Sequence, residues 1–280
     1  MEQLTMTGHD ILAYLGITGD DADACRALLA APPSPAVLEL EDLLAARLGT
    51  ATGMAPGGPG TEPERIAALL RFAPRLIDWH RGRGIPEQVS RATLADVGRN
   101  LAIHRRVHGR FGLETWRWLT LHYAGALYAL GRLQFALHRA PDGLPGTAAG
   151  TWILGIHIPE SGPLDPAAVA GSLAQAGPFF ARHFPEFPVR LADCESWLLD
   201  PYLAQRLDPE SNLARFAALF TPYRAPADQP SDAVYFTFRT RSMEGLAALP
   251  RETTLQRLVL DRIGAGGTWQ LGYGYLVLGG

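Results

Sequence analysis

The feature that most constrains this chain is a change in the spacing of its apolar residues near position 140. Before His138, apolar residues recur three and four positions apart, the spacing that lines one face of an α-helix. The segments that carry it are HDILAYLGI, DADACRALLA, AVLELEDLLAARL, EPERIAALLRFAPRLIDWHRGRG, TLADVGRNLAIHRRVHGRFG and LETWRWLTLHYAGALYALGRLQFAL. After the glycine- and proline-rich run RAPDGLPGTAAG the pattern becomes one of short runs rich in β-branched and aromatic residues. TWILGIHIP, VRLADCESWLL, AVYFTFRT and TWQLGYGYLVL read as strands. A helical stripe and a strand face bury their apolar surface in different layers, so the expectation is an α+β chain. A helical N-terminal domain covers 1–140, and a mixed α/β domain covers 141–280.

Local signals refine this outline. Thr50–Pro63, TATGMAPGGPGTEP, has no apolar period and reads as a mobile surface loop. Asp165-Pro166, Asp200-Pro201 and Asp208-Pro209 each set a capping carboxylate before a proline, the composition of a helix start. Thr253 or Thr254 opens the last helix, and Gly264 ends it as a left-handed cap.

Composition narrows the function classes. Hydrophobic residues make up 47% and charged residues 19% of the 280 positions, so the chain folds rather than remaining disordered. A net charge of -3 gives no general attraction to nucleic acid or to an anionic membrane. Lysine is absent, which excludes Schiff-base catalysis and a Walker-type phosphate loop. The two cysteines, Cys25 and Cys194, are too few and too far apart for a disulfide framework or a metal knuckle. The opening MEQLTMTGHDILAYLGI lacks a basic leader and reads as a helix. No run approaches the roughly 18 apolar residues of a membrane span, so a cytoplasmic location is expected. Neither H-E-x-x-H nor G-x-S-x-G occurs, and no metal site is expected.

The candidate chemistry lies on the predicted strands. Over 190–199 the two-residue period puts Cys194, Ser196 and Leu198 on one face and Glu195, Trp197 and Leu199 on the other. Glu195 beside an apolar wall suits a general base; its bland alternative is a solvated or arginine-paired carboxylate. Cys194 reads either as a nucleophile or proton donor to a thiolate, or as a small core residue. His157 ends a predicted strand just before a turn, where side chains reach ligands, or is a structural imidazole. Arg132 and Gln134 are candidates for substrate contact or for an interdomain salt bridge. Ser211 and Asn212 look like helix-start residues that either meet an anion or simply cap.

Several ordered stretches then carry a resemblance: DVGRN at 96–100, YALGRLQF at 128–135, IHIPESGPLD at 156–165 and FFARHFPE at 179–186. CESWLLDP at 194–201, SNLARF at 211–216 and LPRETTLQR at 249–257 complete the set. The chain resembles actinobacterial two-domain proteins that join an N-acyltransferase N-terminal domain to a GNAT-like C-terminal domain. That resemblance implies an acyltransferase moving an acyl group from a thioester, acyl-CoA as co-substrate, to a small amine. Within that activity the candidates read from the residues are Glu195, His157, Cys194 and Ser196 for catalytic work, and Arg132, Gln134, Trp197, Ser211 and Asn212 for substrate contact. Two departures from the family pattern are visible. Relatives carry histidine where Glu195 stands, and the Q/R-x-x-G-x-G/A turn that opens a helix toward a diphosphate is missing. The rival expectations are a CoA-independent enzyme of the same fold, such as a hydrolase or decarboxylase, and a non-catalytic binding protein.

Overall fold

A computed structural model of the chain describes residues 8–54, 58–240 and 242–279. The chain divides into two compact units. The first is Met1–Leu130 with Gln134–His138 and Arg182–Pro185, and the second is Gly131–Leu133, Arg139–Ala181 and Glu186–Gly280.

Among the described residues the first unit holds seven helices, followed by strand residues: α1 (Gly8–Tyr14), α2 (Gly19–Ala30), α3 (Pro35–Arg47), α4 (Glu62–Gly82), α5 (Glu87–Leu94), α6 (Asp96–His108) and α7 (Trp116–Tyr123). Their starts follow local chemistry. Ser34 accepts from the Val37 N–H at 3.3 Å, and Thr61 with Glu64 forms a reciprocal capping box. The central helix α4 buries Ile66, Leu69, Leu70, Phe72, Leu76 and Ile77, one apolar stripe at helical spacing. The glycine of DVGRN has a packing reason. The Gly98 N–H donates to the Leu15 carbonyl at 3.0 Å, and a Cβ there would fall 2.2 Å from the Gly16 carbonyl oxygen. The first seven residues of the expected opening helix lie outside the described residues, as do 55–57 of the expected loop; Glu62 and Pro63 already belong to α4.

The long helix expected through LHYAGALYALGRLQFAL is not formed. It ends at Tyr123, and the chain continues as β1 (Leu127–Leu130) and β2 (Leu133–Arg139). Gly125 and Gly131 both take positive φ, 68° and 69°, which breaks the helix and closes the tight connection Gly131-Arg132. Residues 127–130 and 133–137 are buried throughout, and a continuous apolar run matches a helical period by coincidence.

The second unit holds β3 (Trp152–His157), α8 (Pro166–His183), β4 (Leu191–Ser196), α9 (Pro201–Arg206), α10 (Asn212–Ala217), β5 (Thr221–Pro222), β6 (Ala227–Asp228), α11 (Pro230–Phe238), α12 (Thr254–Gly264) and β7 (Gln270–Val277); the last residues of α8 belong to the first unit. β3 and β4 run parallel, joined through α8, with Leu154 beside Ala192 and Gly155 beside Asp193. β7 lies antiparallel to β4 along its whole length, from Leu191↔Val277 to Ser196↔Gly272, and β5 and β6 pair with β7.

Four details of this unit differ from the sequence expectation. AVYFTFRT is the helix α11, because Pro230 starts it and Ala233 and Val234 pack with Trp197, Val259 and Trp269; tertiary burial outweighs strand propensity. Trp197, Leu198 and Leu199 leave β4 as a single 3-10 turn, begun where the Ser196 hydroxyl accepts from the Leu198 N–H at 3.1 Å. Asp208-Pro209 makes a turn instead of a helix start, and Ser211 caps α10 instead. The left-handed residue after α12 is Gly266 at φ 79°, not Gly264. Asp165, Asp200 and Thr253 cap α8, α9 and α12 as expected.

Candidate active site

In a sheet with parallel strands joined by a helix, ligands bind at the carboxyl ends of those strands. Here that place is the end of β3 and β4. Gly155 and His157 on β3 share a face with Asp193 and Glu195 on β4, since the registered partners Gly155 and Asp193 fix the alternation. Opposite Asp193 and Glu195 on β7 stand Tyr275 and Tyr273. Tyr223, just past β5, donates its backbone N–H to the Tyr273 carbonyl at 3.2 Å, and its ring lies 6.3 Å from each of those two rings. One face therefore gathers carboxylates, tyrosines and a histidine.

Glu195 is half-exposed, at 46% of its side chain, and lies 3.6 Å from the Arg224 guanidinium. Arg224 itself stacks 3.4 Å above the Tyr273 ring. Asp193 is buried at 2% exposure. The Tyr223 hydroxyl is buried without a hydrogen-bond partner; burial, then the negative charge of Asp193 and Glu195, pushes it up to about 12, so the phenol stays protonated. Cys194 points to the opposite face and is 1% exposed. Burial, with Asp193 and Glu195 beside it in sequence, pushes its thiol well above the usual range.

The other candidates separate. Ser196 lies at the end of β4, bonded to the turn it starts. Trp197 is buried, edge-on to Trp269 at 5.7 Å, within the apolar cluster of α9, α11 and α12. Ser211 caps α10 by accepting from the Ala214 N–H at 3.3 Å, and Asn212 is exposed beside it. Gln134 lies in the helical unit, 2% exposed, its amide nitrogen without a hydrogen-bond partner. Arg132 sits under the loop that leaves β3, bonded to three of its carbonyls.

Asp193, Tyr223, Arg224 and Tyr273 were not among the residues singled out by sequence. The alternation of glycine and tyrosine in QLGYGYLV was the one available signal, since it puts Tyr273 and Tyr275 on one face.

The start of α8 has one N–H missing and one already engaged. Pro166 has no N–H, and Asp165 accepts from the Ala168 N–H at 2.9 Å. Among the described residues no group of three His, Cys, Asp or Glu side chains is placed to hold a metal ion, and no helix is long and apolar enough to cross a membrane. An open apolar groove of about 350 Å³ exists elsewhere in this unit, lined by Leu173, Ala174, Leu219, Leu276 and Leu278. It lies toward the other end of β4, because Leu276 pairs with Ala192 and Val277 with Leu191.

Comparison with known proteins accounts for both units. Residues 6–125 match the N-acyltransferase N-terminal domain, and residues 127–276 match the GNAT-like C-terminal domain. The chain is similar to a crystal structure of an acyltransferase in complex with decanoyl-CoA and teicoplanin. The two share 34% identity over 97% of this chain and 88% of that one, with a TM-score of 0.87. It is also similar to an acyltransferase in complex with CoA and 10C-teicoplanin, at 33% identity over 100% of this chain and 90% of that one, with the same TM-score of 0.87. Among curated proteins no match is found. The chain therefore belongs to the two-domain acyltransferases in which an N-acyltransferase N-terminal domain is followed by a GNAT-like C-terminal domain.

Proposed function

We propose that this chain transfers an acyl group from acyl-CoA to the amine of a small-molecule acceptor, at the carboxyl ends of β3 and β4. The observation that carries this reading is the sharing of one sheet face by His157 and Glu195 at that place. The relatives support the donor, since they were solved with decanoyl-CoA and with CoA; their teicoplanin complexes support a small-molecule acceptor.

The chemistry needs few groups. An ammonium must lose a proton before its nitrogen attacks the thioester carbonyl, after which the C–N bond forms and the C–S bond breaks. Glu195 is half-exposed beside Arg224 and is assigned to take that proton directly or through one water, with His157 as the alternative acceptor. As the intermediate collapses the nitrogen sheds its second proton and the departing thiolate takes one up, so the products are an amide, a free thiol and one net proton. Ser196 ends β4 on the face opposite Glu195, its hydroxyl accepting from the Leu198 N–H, and is assigned to starting that turn, whereas the protonated, buried Cys194 is assigned to packing. Trp197 and Gln134 are assigned to their cores. Ser211 is assigned to capping and Asn212 to the exposed first position of α10.

The test is free-thiol release with mass analysis of the acceptor, using acyl-CoAs of graded chain length and a panel of amines. The expected result is stoichiometric thiol and an acceptor heavier by one acyl group. No thiol from any donor would contradict the reading. The proline and the capped N–H at the start of α8 favour one alternative, hydrolysis without a CoA-specific site, and thiol release with no acylated amine identifies it.

A further inference from the structure

We infer that Arg224 is a specificity-determining residue, which selects an acceptor bearing a carboxylate beside its amine, an α-amino acid being the simplest case. The inference rests on the acyl-transfer reading above and deepens it by naming the acceptor class. It starts from the placing of charge: Glu195, assigned to take the proton of the acceptor, stands beside a fixed cation.

The sequence of β7 sets that cation in place. Its tyrosines and glycines alternate, so Tyr273 and Tyr275 face one way and Gly272 and Gly274 the other. The glycine face is closed. A Cβ on Gly272 would fall 2.3 Å from the Leu199 carbonyl oxygen, and one on Gly274 would fall 2.6 Å from the Phe220 Cβ. The tyrosine face stays reachable at its end, where the Glu195 and Arg224 side chains are 46% and 42% exposed. Glu195 and Tyr273 are partners in the sheet, and the chain bends at Arg224, just after the Tyr223 N–H has bonded to the Tyr273 carbonyl. The guanidinium thereby comes down on the Tyr273 ring, 3.4 Å from its centroid, with the Tyr223 ring 6.0 Å away. Tyr273 is buried beneath it. A guanidinium held over an aromatic face keeps its position and leaves its N–H edge for a carboxylate.

Stability does not explain the pair. Arg224 Nη2 and Glu195 Oε1 lie 3.6 Å apart, beyond hydrogen-bond range, and both side chains meet water, a setting in which an ion pair contributes little. The chemistry gives it a consequence. An acceptor arrives as an ammonium and must reach Glu195, so it must also approach Arg224, where like charges repel. A carboxylate next to the ammonium reverses that repulsion: the ammonium meets Glu195, the carboxylate meets Arg224, and four charges alternate. The spacing suits this arrangement, because the nitrogen and the carboxylate oxygens of an α-amino acid lie about as far apart as the two side chains do. Attraction for one class of acceptor and repulsion for the other then act together, which is how a site discriminates.

Acceptors matched in all but the carboxylate separate this role from a merely structural one. Wild type and Arg224→Gln are given decanoyl-CoA with α-amino acids and with their primary carboxamides, and thiol release is followed with mass analysis of the acceptor. Wild type should favour the acids by about tenfold or more in kcat/KM. Arg224→Gln should lower kcat/KM for the acids by about tenfold or more, mainly through KM, and change the carboxamides by about threefold or less, so that the preference disappears. Equal losses on both acceptors, a preference kept by the variant, or a wild type that favours the carboxamides overturns the inference. If the variant fails to fold, inhibition of wild type decides. The deaminated acid of each amino acid should compete with the acceptor and the deaminated carboxamide should not; equal effects of the two overturn the inference. Acylation of other amines with no transfer to any amino acid overturns the inference and leaves the proposed function standing. A wild type inactive with every acyl-CoA and every amine overturns the proposed function itself.

Discussion

At the scale of single residues, neighbours on one strand separate sharply. Glu195 and Cys194 are adjacent, yet one is half-exposed beside Arg224 and the other is sealed in the core as a thiol. Replacing Glu195 by Gln keeps the shape and removes the proton acceptor, so kcat should fall by about a hundredfold, with the acid limb of the pH–rate profile altered. Cys194→Ala should leave kcat/KM within about twofold and cost about 1 kcal/mol of stability, read from denaturant midpoints. An equal loss of rate in both variants would reverse these assignments. Alternation along β4 was legible because a period of two needs only the strand itself. The Arg224 contact was not, since it joins residue 195 to residue 224 across β7.

At the scale of elements, the starts of helices were the most legible feature, because a cap is a local agreement between a side chain and backbone N–H groups. Asp165, Asp200 and Thr253 all do this. The hairpin β1–β2 and helix α11 were misread, since short, fully apolar runs carry no usable period and burial by distant residues decides between strand and helix. Asp200 shows how a cap can also bind elements together. Its carboxylate is completely buried and accepts from Tyr202 N–H at 2.7 Å, Gln270 N–H at 2.8 Å and Arg262 at 2.7 Å, so α9, β7 and α12 meet on one charge. Asp200→Ala strands a mostly buried arginine, and should destabilise the protein by about 3–5 kcal/mol in chemical denaturation. A loss under about 1 kcal/mol would show that water replaces the carboxylate.

At the scale of the whole molecule, the helical unit carries a pH dependence of its own. His80 is 1% exposed with its Nδ1 2.7 Å from the Ser90 hydroxyl; burial first, and the nearby His122 second, lower its pKa from 6.5 to about 3. A histidine lowered in this way binds its proton more readily in the unfolded chain. Its stabilising contribution is complete above pH ~6.5 and is lost as the pH falls from there toward about 3, at about 1.4 kcal/mol per pH unit. Asp96 acts in the same direction further down. Burial opposes its charge, but His122, Arg99 and Trp118 outweigh burial and hold its pKa well below the usual range, so its contribution fades only in stronger acid. The thermal midpoint should therefore drop between pH 6.5 and 4, and His80→Phe should flatten that slope. An unchanged slope in the variant would assign the acid sensitivity elsewhere.

The helical-then-mixed outline followed from periodicity alone, and the family from ordered motifs spread along the chain; the proposed site could not follow from either, because it is made by strand ends brought together in space. The most direct measurement is electron density for CoA bound to this protein. The sulfur is expected at the carboxyl ends of β3 and β4, beside His157 and Glu195. A sulfur in the apolar groove beside Leu173 and Leu276, or anywhere outside the second unit, would contradict it.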